Sequence, residues 1–247
     1  MNAISNLHTA ERLFSGPIAE EYEKLALICP AAADMSRRVG EFVAGWLRGR
    51  AVPDNALELG CGTGVTTAAL LAALDEVPLT AVDSEPSMLV QAGANLASWI
   101  EAGRLRLVEN DALSFLRDQA DDSFEVIASA FTLHNFMNGY RREVLQEIFR
   151  VLKPGGLFVN GDRYGLDDTL EHTRLIQEEV KQYFKVFREL NRIDLLEHWI
   201  VHLFSDESPD RVMRLAPSLD AMAEIGFHPV SVHYRDEVNA LVTGSKP

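Results

Sequence analysis

Ala56-Leu57-Glu58-Leu59-Gly60-Cys61-Gly62-Thr63-Gly64 is a short apolar run that breaks into a turn carrying glycine at every second position. The residues after it, 65–74, read as a helix, so the segment is a buried strand, a tight turn and a helix start. Glycines at alternate positions let a backbone turn sharply and let a ligand approach without side-chain obstruction. The spacing is G-x-G-x-G rather than the G-x-G-x-x-G of dinucleotide sites. No lysine opens the helix, which excludes a phosphate-cradling Walker loop.

Working outward from this turn, short apolar runs alternate with longer amphipathic stretches, the signature of a parallel sheet covered by helices on both faces. Strands are expected at 56–59, 79–82, 105–108, 125–130 and 157–160, and late in the chain at 228–234 and 240–243. Helices are expected at 65–74, 86–97 and 141–152. In the last, Val144, Leu145, Ile148, Phe149 and Leu152 share one face, and Pro154-Gly155-Gly156 stops the helix. Two segments stand outside the alternation. Residues 1–50 read as an N-terminal helical cap, and 164–222 as a helical insertion with helices at 169–190 and 194–204. Ligands of open α/β sheets bind at the carboxyl edge of the strands, and the insertion follows a strand at that edge. It therefore reads as a lid over a substrate, or else as a solvated helical pair covering the sheet edge. The core spans 51–163, residues 223–247 supply the strand pair that completes the sheet, and 1–247 reads as one domain.

The turn together with Glu58 resembles the first motif of the class I methyltransferases that use S-adenosylmethionine, of the small-molecule type. Further segments support the resemblance in order. Asp83, at the end of Ala81-Val82-Asp83-Ser84, stands where α/β cofactor sites place the acceptor for ribose hydroxyls. Glu109-Asn110-Asp111-Ala112 is similar to the adenine-reading segment, with Asp111 accepting from the exocyclic amine. Ala128-Ser129-Ala130-Phe131-Thr132-Leu133-His134-Asn135-Phe136 is similar to the segment beside the cofactor's methionine portion. The string L-Q-E-I-F-R-V-L-K-P-G-G, from Leu145 to Gly156, matches the helix and turn before strand five. The resemblance implies a Rossmann-like sheet of seven strands, mostly parallel, with one antiparallel strand near the C-terminus. It implies S-adenosylmethionine as cofactor, with S-adenosylhomocysteine as product. Tyr22, Glu58, Gly60, Cys61, Gly62, Gly64, Asp83, Ser84, Met88, Asp111, Ala112, Ala130 and Phe131 would line the cofactor. Some alternatives stay open: Asp83 or Ser84 as the cap of the next helix, Asp111 as the cap of a short turn, and Tyr22 as one member of an apolar stripe with Phe14 and Ile18.

Methyl transfer from a sulfonium is an in-line displacement, so alignment and exclusion of water are the main demands, with one general base for a protonated acceptor. His134 at the end of strand four is the expected catalytic base, and Asn135 would position the acceptor. Asp162, Arg163 and Tyr164 after strand five are expected in the substrate wall, with Arg163 suited to a carboxylate or phosphate. In the insertion, His198, Trp199 and His202 are substrate candidates. Their i, i+4 spacing puts the two histidines on one helix face. Without H-E-x-x-H or an evident third ligand, no metal is expected. His172, His228 and His233 read as structural.

The carboxy-S-adenosylmethionine synthases share the core, the Phe131-Thr132-Leu133 segment and a helical insertion. They need a cation for the added carboxylate, whereas residues 195–204 contain no Arg or Lys and only Arg192 lies just before them. A non-catalytic cofactor-binding protein is a further alternative, and a nicotinamide-dependent dehydrogenase is disfavoured by the glycine spacing.

Charge narrows the partners. A net charge of −14 disfavours a nucleic-acid or anionic-membrane footprint, leaving a small-molecule acceptor. Cys29 and Cys61 have no metal-type spacing. No apolar run is long enough to span a bilayer and no secretory leader is evident, so a cytoplasmic protein is expected. The sequence leaves a homodimer open.

Overall fold

The computed structural model describes residues 31–247. Its elements follow the alternation read from the sequence: α1 (Ala31–Leu47), β1 (Ala56–Leu59), α2 (Val65–Leu74), β2 (Leu79–Asp83), α3 (Pro86–Asn95), α4 (Ala97–Glu101), β3 (Leu105–Glu109), α5 (Ala112–Arg117), β4 (Phe124–Ala130), a single 3-10 turn (Leu133–Asn135), α6 (Asn138–Val151), β5 (Leu152–Arg163), α7 (Thr169–Glu189), α8 (Ile193–Asp206), α9 (Leu215–Ile225), β6 (Val230–Asp236) and β7 (Asn239–Ser245). The expected helix at 86–97 is interrupted at Leu96, whose non-helical backbone separates α3 from α4.

One sheet of seven strands runs in the order β3-β2-β1-β4-β5-β7-β6. The first five strands pair parallel, and β7 pairs antiparallel with both β5 and β6. The strand order reverses between β1 and β4, which creates the crevice where doubly wound folds bind ligands. The expected mostly parallel seven-stranded fold is the one observed. Pro154-Gly155-Gly156 was expected to stop the helix, but α6 ends at Val151 and these residues lie within β5, which already pairs through Leu152 and Phe124 ahead of a register irregularity.

Period-2 alternation sends the strand side chains to two cores. Leu57, Leu59, Ile127 and Phe158 join α5, α6 and α9 on one face, while Ala56, Val126, Ala128 and Val159 join α1 and α2 on the other. Burying each large aliphatic side chain contributes about 1.5–3 kcal/mol. A third, smaller cluster (Tyr183, Phe187, Leu195, Leu196, Trp199, Leu203) lies between α7 and α8, so the inserted helices pack on each other. Among the described residues no helix is long and apolar enough to cross a membrane.

Candidate active site

The glycine turn lies between β1 and α2, braced by hydrogen bonds from the Gly60 and Cys61 amides to the Val82 carbonyl at 2.8 and 3.1 Å. The glycines do different work. A Cβ at Gly60 would run into Thr132 at 2.1 Å, and one at Gly64 into Leu96 at 2.6 Å, so these two are needed for close packing. Gly62, with φ +52°, has nothing within 4 Å of where a Cβ would stand. Its amide donates to Asp83 Oδ2 at 2.8 Å, and the Glu85 amide donates to Asp83 Oδ1 at 2.9 Å. Asp83 is half-buried, which leaves carboxylate lone pairs for further donors; burial raises its pKa against these two backbone bonds. An open backbone cradle beside an acceptor carboxylate fits an adenosyl cofactor.

Around this cradle, several expected contacts take different places. Glu58 has no exposed surface and lies beneath the turn, and neither of its oxygens makes a well-formed hydrogen bond. Burial pushes its carboxyl up to about 8, with the Thr67 hydroxyl opposing and the Asp83 charge reinforcing. Cys61 is buried too, which raises its thiol well above the ordinary range. The cap of α3 is Glu85, neither Asp83 nor Ser84; its carboxylate accepts from the Ser87 amide and hydroxyl. Ser84 is half-buried and Met88 is buried. Asp111 caps α5, accepting from the Ser114 amide at 2.8 Å and the Tyr140 hydroxyl at 3.2 Å, both on Oδ1. Ala112 is buried, and Ala130 and Phe131 are partly exposed at the carboxyl end of β4. Tyr22 lies outside the described residues.

Beyond β4 the backbone is strained. Phe131 has φ +49°, a left-handed conformation unusual for an aromatic residue and typical of functional turns. The turn that follows is held by Arg141, a buried guanidinium that donates to the carbonyls of Leu133 (2.8 Å), Phe136 (2.6 Å), His134 (3.2 Å) and Arg211. Burial lowers its pKa to about 10 even with Asp162 nearby. His134 Nδ1 sits 2.6 Å from Asp162 Oδ1. Burial disfavours charge on this imidazole, yet Asp162 and then Asp206 outweigh it and raise its pKa. Asn135 turns its amide back to the Phe131 carbonyl at 3.2 Å, and its buried Oδ1 has no partner.

The expected substrate wall after β5 is corrected. Asp162 is fully buried, with its carboxylate taken up by the Leu133 amide, the Arg163 amide, Asn160 and His134 rather than exposed at a wall. Arg163 is no free cation: it pairs with Glu179 at 2.8 Å and Glu207 at 3.0 Å. Tyr164 is a core side chain whose hydroxyl accepts from Asn160 at 2.8 Å. In α8 the two histidines do not share an inward face. His198 is exposed and Trp199 fills the α7–α8 cluster, while His202 is buried with its Nε2 3.4 Å from Asp206 Oδ2. Burial lowers the His202 pKa although Asp206 opposes. His134 Nε2 lies 3.9 Å from the same Asp206 oxygen.

Sequence reasoning missed Asp206, Arg141, Thr132 and Glu207. His202 and Asp206 are spaced i, i+4 on one helix, a signal that was there to be found. The others act through packing and long-range pairing that leave no local pattern. His172, expected to be structural, is tied to Glu207 at 2.6 Å and joins the Arg163 network.

Residues 56–156 match a family model described as a methyltransferase domain. The chain is 36% identical over 106 residues to a demethylmenaquinone methyltransferase of Leptospira interrogans, covering 43% of this chain and 41% of that protein. It is 26% identical over 191 residues to a carboxy-S-adenosyl-L-methionine synthase of Aeromonas salmonicida, covering 69% of this chain and 72% of that one. An O-methyltransferase family protein from Burkholderia thailandensis has the same fold, with a TM-score of 0.64 at 14% identity, over 93% of this chain and 59% of that one. The sheet and its first helices thus match a methyltransferase domain over residues 56–156 and share the fold of a solved methyltransferase-family protein. The chain spans about two fifths of the length of the Leptospira relative.

Proposed function

We propose that this protein transfers a methyl group from S-adenosylmethionine to a nucleophilic atom, O, N or S, of a small molecule. The observation that carries the reading is the open cradle at Gly62, pinned to the half-buried Asp83 carboxylate where β1 and β2 end, beside the β1–β4 crevice. When bound, the cofactor supplies an electrophilic methyl group. The residues of the chain do the rest. Gly62 and Asp83 hold the adenosyl portion, and Asp111 keeps one carboxylate oxygen beyond its capping role for the adenine side. On the acceptor side, Asp162 accepts from Nδ1 of His134 and fixes the imidazole so that Nε2 presents a lone pair, able to take a proton from an acceptor heteroatom. Phe131, packed edge-on to His134 with ring centroids 6.1 Å apart, helps keep water from that nitrogen. The insertion lies over the acceptor as a lid.

A second reading, carboxy-S-adenosylmethionine synthesis, is favoured by the Aeromonas match over most of the chain. Counting cations argues against it. Arg163 is taken by two glutamates, Arg192 pairs with Asp194 at 2.7 Å, and Arg141 and Arg211 hold backbone carbonyls. Arg163 and Arg192 thus already carry acidic partners, which disfavours an added carboxylate beside either.

Calorimetric titration with S-adenosylmethionine, S-adenosylhomocysteine and NAD tests the proposal. Binding of both adenosyl compounds and not NAD is expected, and binding of NAD alone, or of none, overturns it. A carboxylated adduct co-purifying with the protein, identified by mass spectrometry, would select the second reading.

A further inference from the structure

We infer that His134, His202 and Asp206 form a binding site for one divalent transition-metal ion of the zinc type. The three side chains come from two elements. His134 sits on the turn after β4, and His202 and Asp206 lie one helical turn apart on α8. His202 Nε2 and His134 Nε2 stand 3.4 and 3.9 Å from Asp206 Oδ2, and the three ligating atoms all lie within 4.8 Å of one another. Ligands bonded to one ion at about 2.0–2.1 Å in tetrahedral geometry are about 3.3 Å apart. The site is therefore slightly open and closes on an ion by small side-chain movements.

Two further observations point to a ligand here. Asp206 is 6% exposed, and its second oxygen, Oδ1, is buried with no hydrogen-bond partner. Behind His134 stands the fully buried Asp162, 2.6 Å from Nδ1, which leaves Nε2 as the ligating nitrogen. A carboxylate behind a ligating imidazole is the outer-shell arrangement that orients metal-binding histidines. The neighbouring cations are committed elsewhere: Arg163 to Glu179 and Glu207, Arg211 to the Asn135 carbonyl and Arg141 to four carbonyls. Asp162 and Asp206 thus meet two imidazoles with no arginine side chain hydrogen-bonded to either carboxylate among the described residues, so Asp162 is left to hold His134 and Asp206 to face the ion.

Two imidazoles and one carboxylate suit zinc or iron(II) rather than magnesium or calcium, which prefer all-oxygen sets. Three protein ligands leave a coordination position open. On the methyltransferase reading, on which this part of the inference rests, that position takes the acceptor oxygen or nitrogen. The ion then promotes its ionisation in place of proton transfer to His134. No metal was expected from the sequence because His198 and His202 lacked a third ligand; the fold supplies His134 and Asp206 instead.

Untagged protein stripped with chelator, then titrated with Co²⁺ and followed by visible absorption with Zn²⁺ competition, tests the site. One equivalent of Co²⁺ is expected to bind, to be displaced by Zn²⁺ and not by Mg²⁺, and Zn²⁺ should raise the melting temperature. Asp206→Asn and His202→Ala should weaken binding at least tenfold, Asp162→Asn by about ten- to a hundredfold, and His198→Ala not at all. Should Asp206→Asn fail to fold, Asp162→Asn, which leaves all three ligands in place, carries the comparison. The absence of stoichiometric Co²⁺ or Zn²⁺ binding by the folded wild type, or equal binding by every variant, overturns the site. S-Adenosylhomocysteine binding, measured in parallel, reports on the cofactor reading independently.

Discussion

The two halves of the crevice are built by different means. On the cofactor side, the turn after β1 and the carboxylates after β2 and β3 come from consecutive strand-helix units, and backbone amides set their geometry: Gly62 to Asp83, Glu85 to Asp83, Ser114 to Asp111. On the side proposed for the acceptor, His134, Asp162, Arg163, His202, Asp206 and Glu207 are drawn together from strand ends and an inserted helix, and ionic side chains held largely out of solvent set the geometry. A half framed by backbone keeps its fold when a side chain changes, as long as the turn persists, so that substitution there is read in binding rather than in stability. A half framed by buried charges fails whenever one partner is removed, because the remaining charge stays buried.

This contrast can be broken by substitution. Asp83→Ala should weaken S-adenosylhomocysteine binding on the order of a hundredfold, since charge-assisted hydrogen bonds are worth about 1.5–3 kcal/mol each. His134→Ala should leave that binding within a few-fold and lower turnover by about 10²–10⁴. Calorimetry and single-turnover rates check the pair, and equal loss of binding in both would abolish the distinction between the halves. On the proposed acceptor side, Arg163→Met should cost about 3–5 kcal/mol in urea unfolding, because charge-assisted bonds worth about 1.5–3 kcal/mol each are lost to the half-buried Glu179 and to Glu207, which keeps only His172. Adding Glu179→Gln and Glu207→Gln should recover part of that loss.

A smaller effect sharpens the comparison from the cofactor side. Burial raises the Glu58 carboxyl to about 8 from an ordinary 4.5. Below about pH 4.5 both folded and unfolded chains hold the proton. As the pH rises the unfolded chain ionises first, so stability falls up to about pH 8 and then levels off. Glu58→Gln should remove this slope, raising stability near neutral pH by on the order of a few kcal/mol relative to wild type. Denaturant titrations across that range check it, and parallel pH profiles for the two proteins would mean that Glu58 is ionised in the native state.

The same contrast explains what the sequence revealed. Strand positions and the glycine turn were legible because they are local: Ala56–Leu59 and Val65–Leu74 were read to the residue, and the inserted helices nearly so. The positions of Arg163 and Tyr164 were not, because adjacency to a strand end does not say whether a guanidinium meets a substrate or two glutamates 16 and 44 residues on. His198 and His202 look equivalent in sequence. Only the packing of Trp199 against Tyr183 and Phe187 fixes which of them turns inward.

Arg163 belongs to the sheet, while Glu179, Glu207 and His172, which complete its network, belong to α7 and the end of α8. The insertion is therefore not an interchangeable cassette. A chimera that replaced residues 164–222 with the equivalent segment of a relative would strand a guanidinium at the sheet edge unless the graft carried matching acids. If the proposed function holds, moving acceptor preference between such proteins thus requires transplanting the anchor along with the inserted helices.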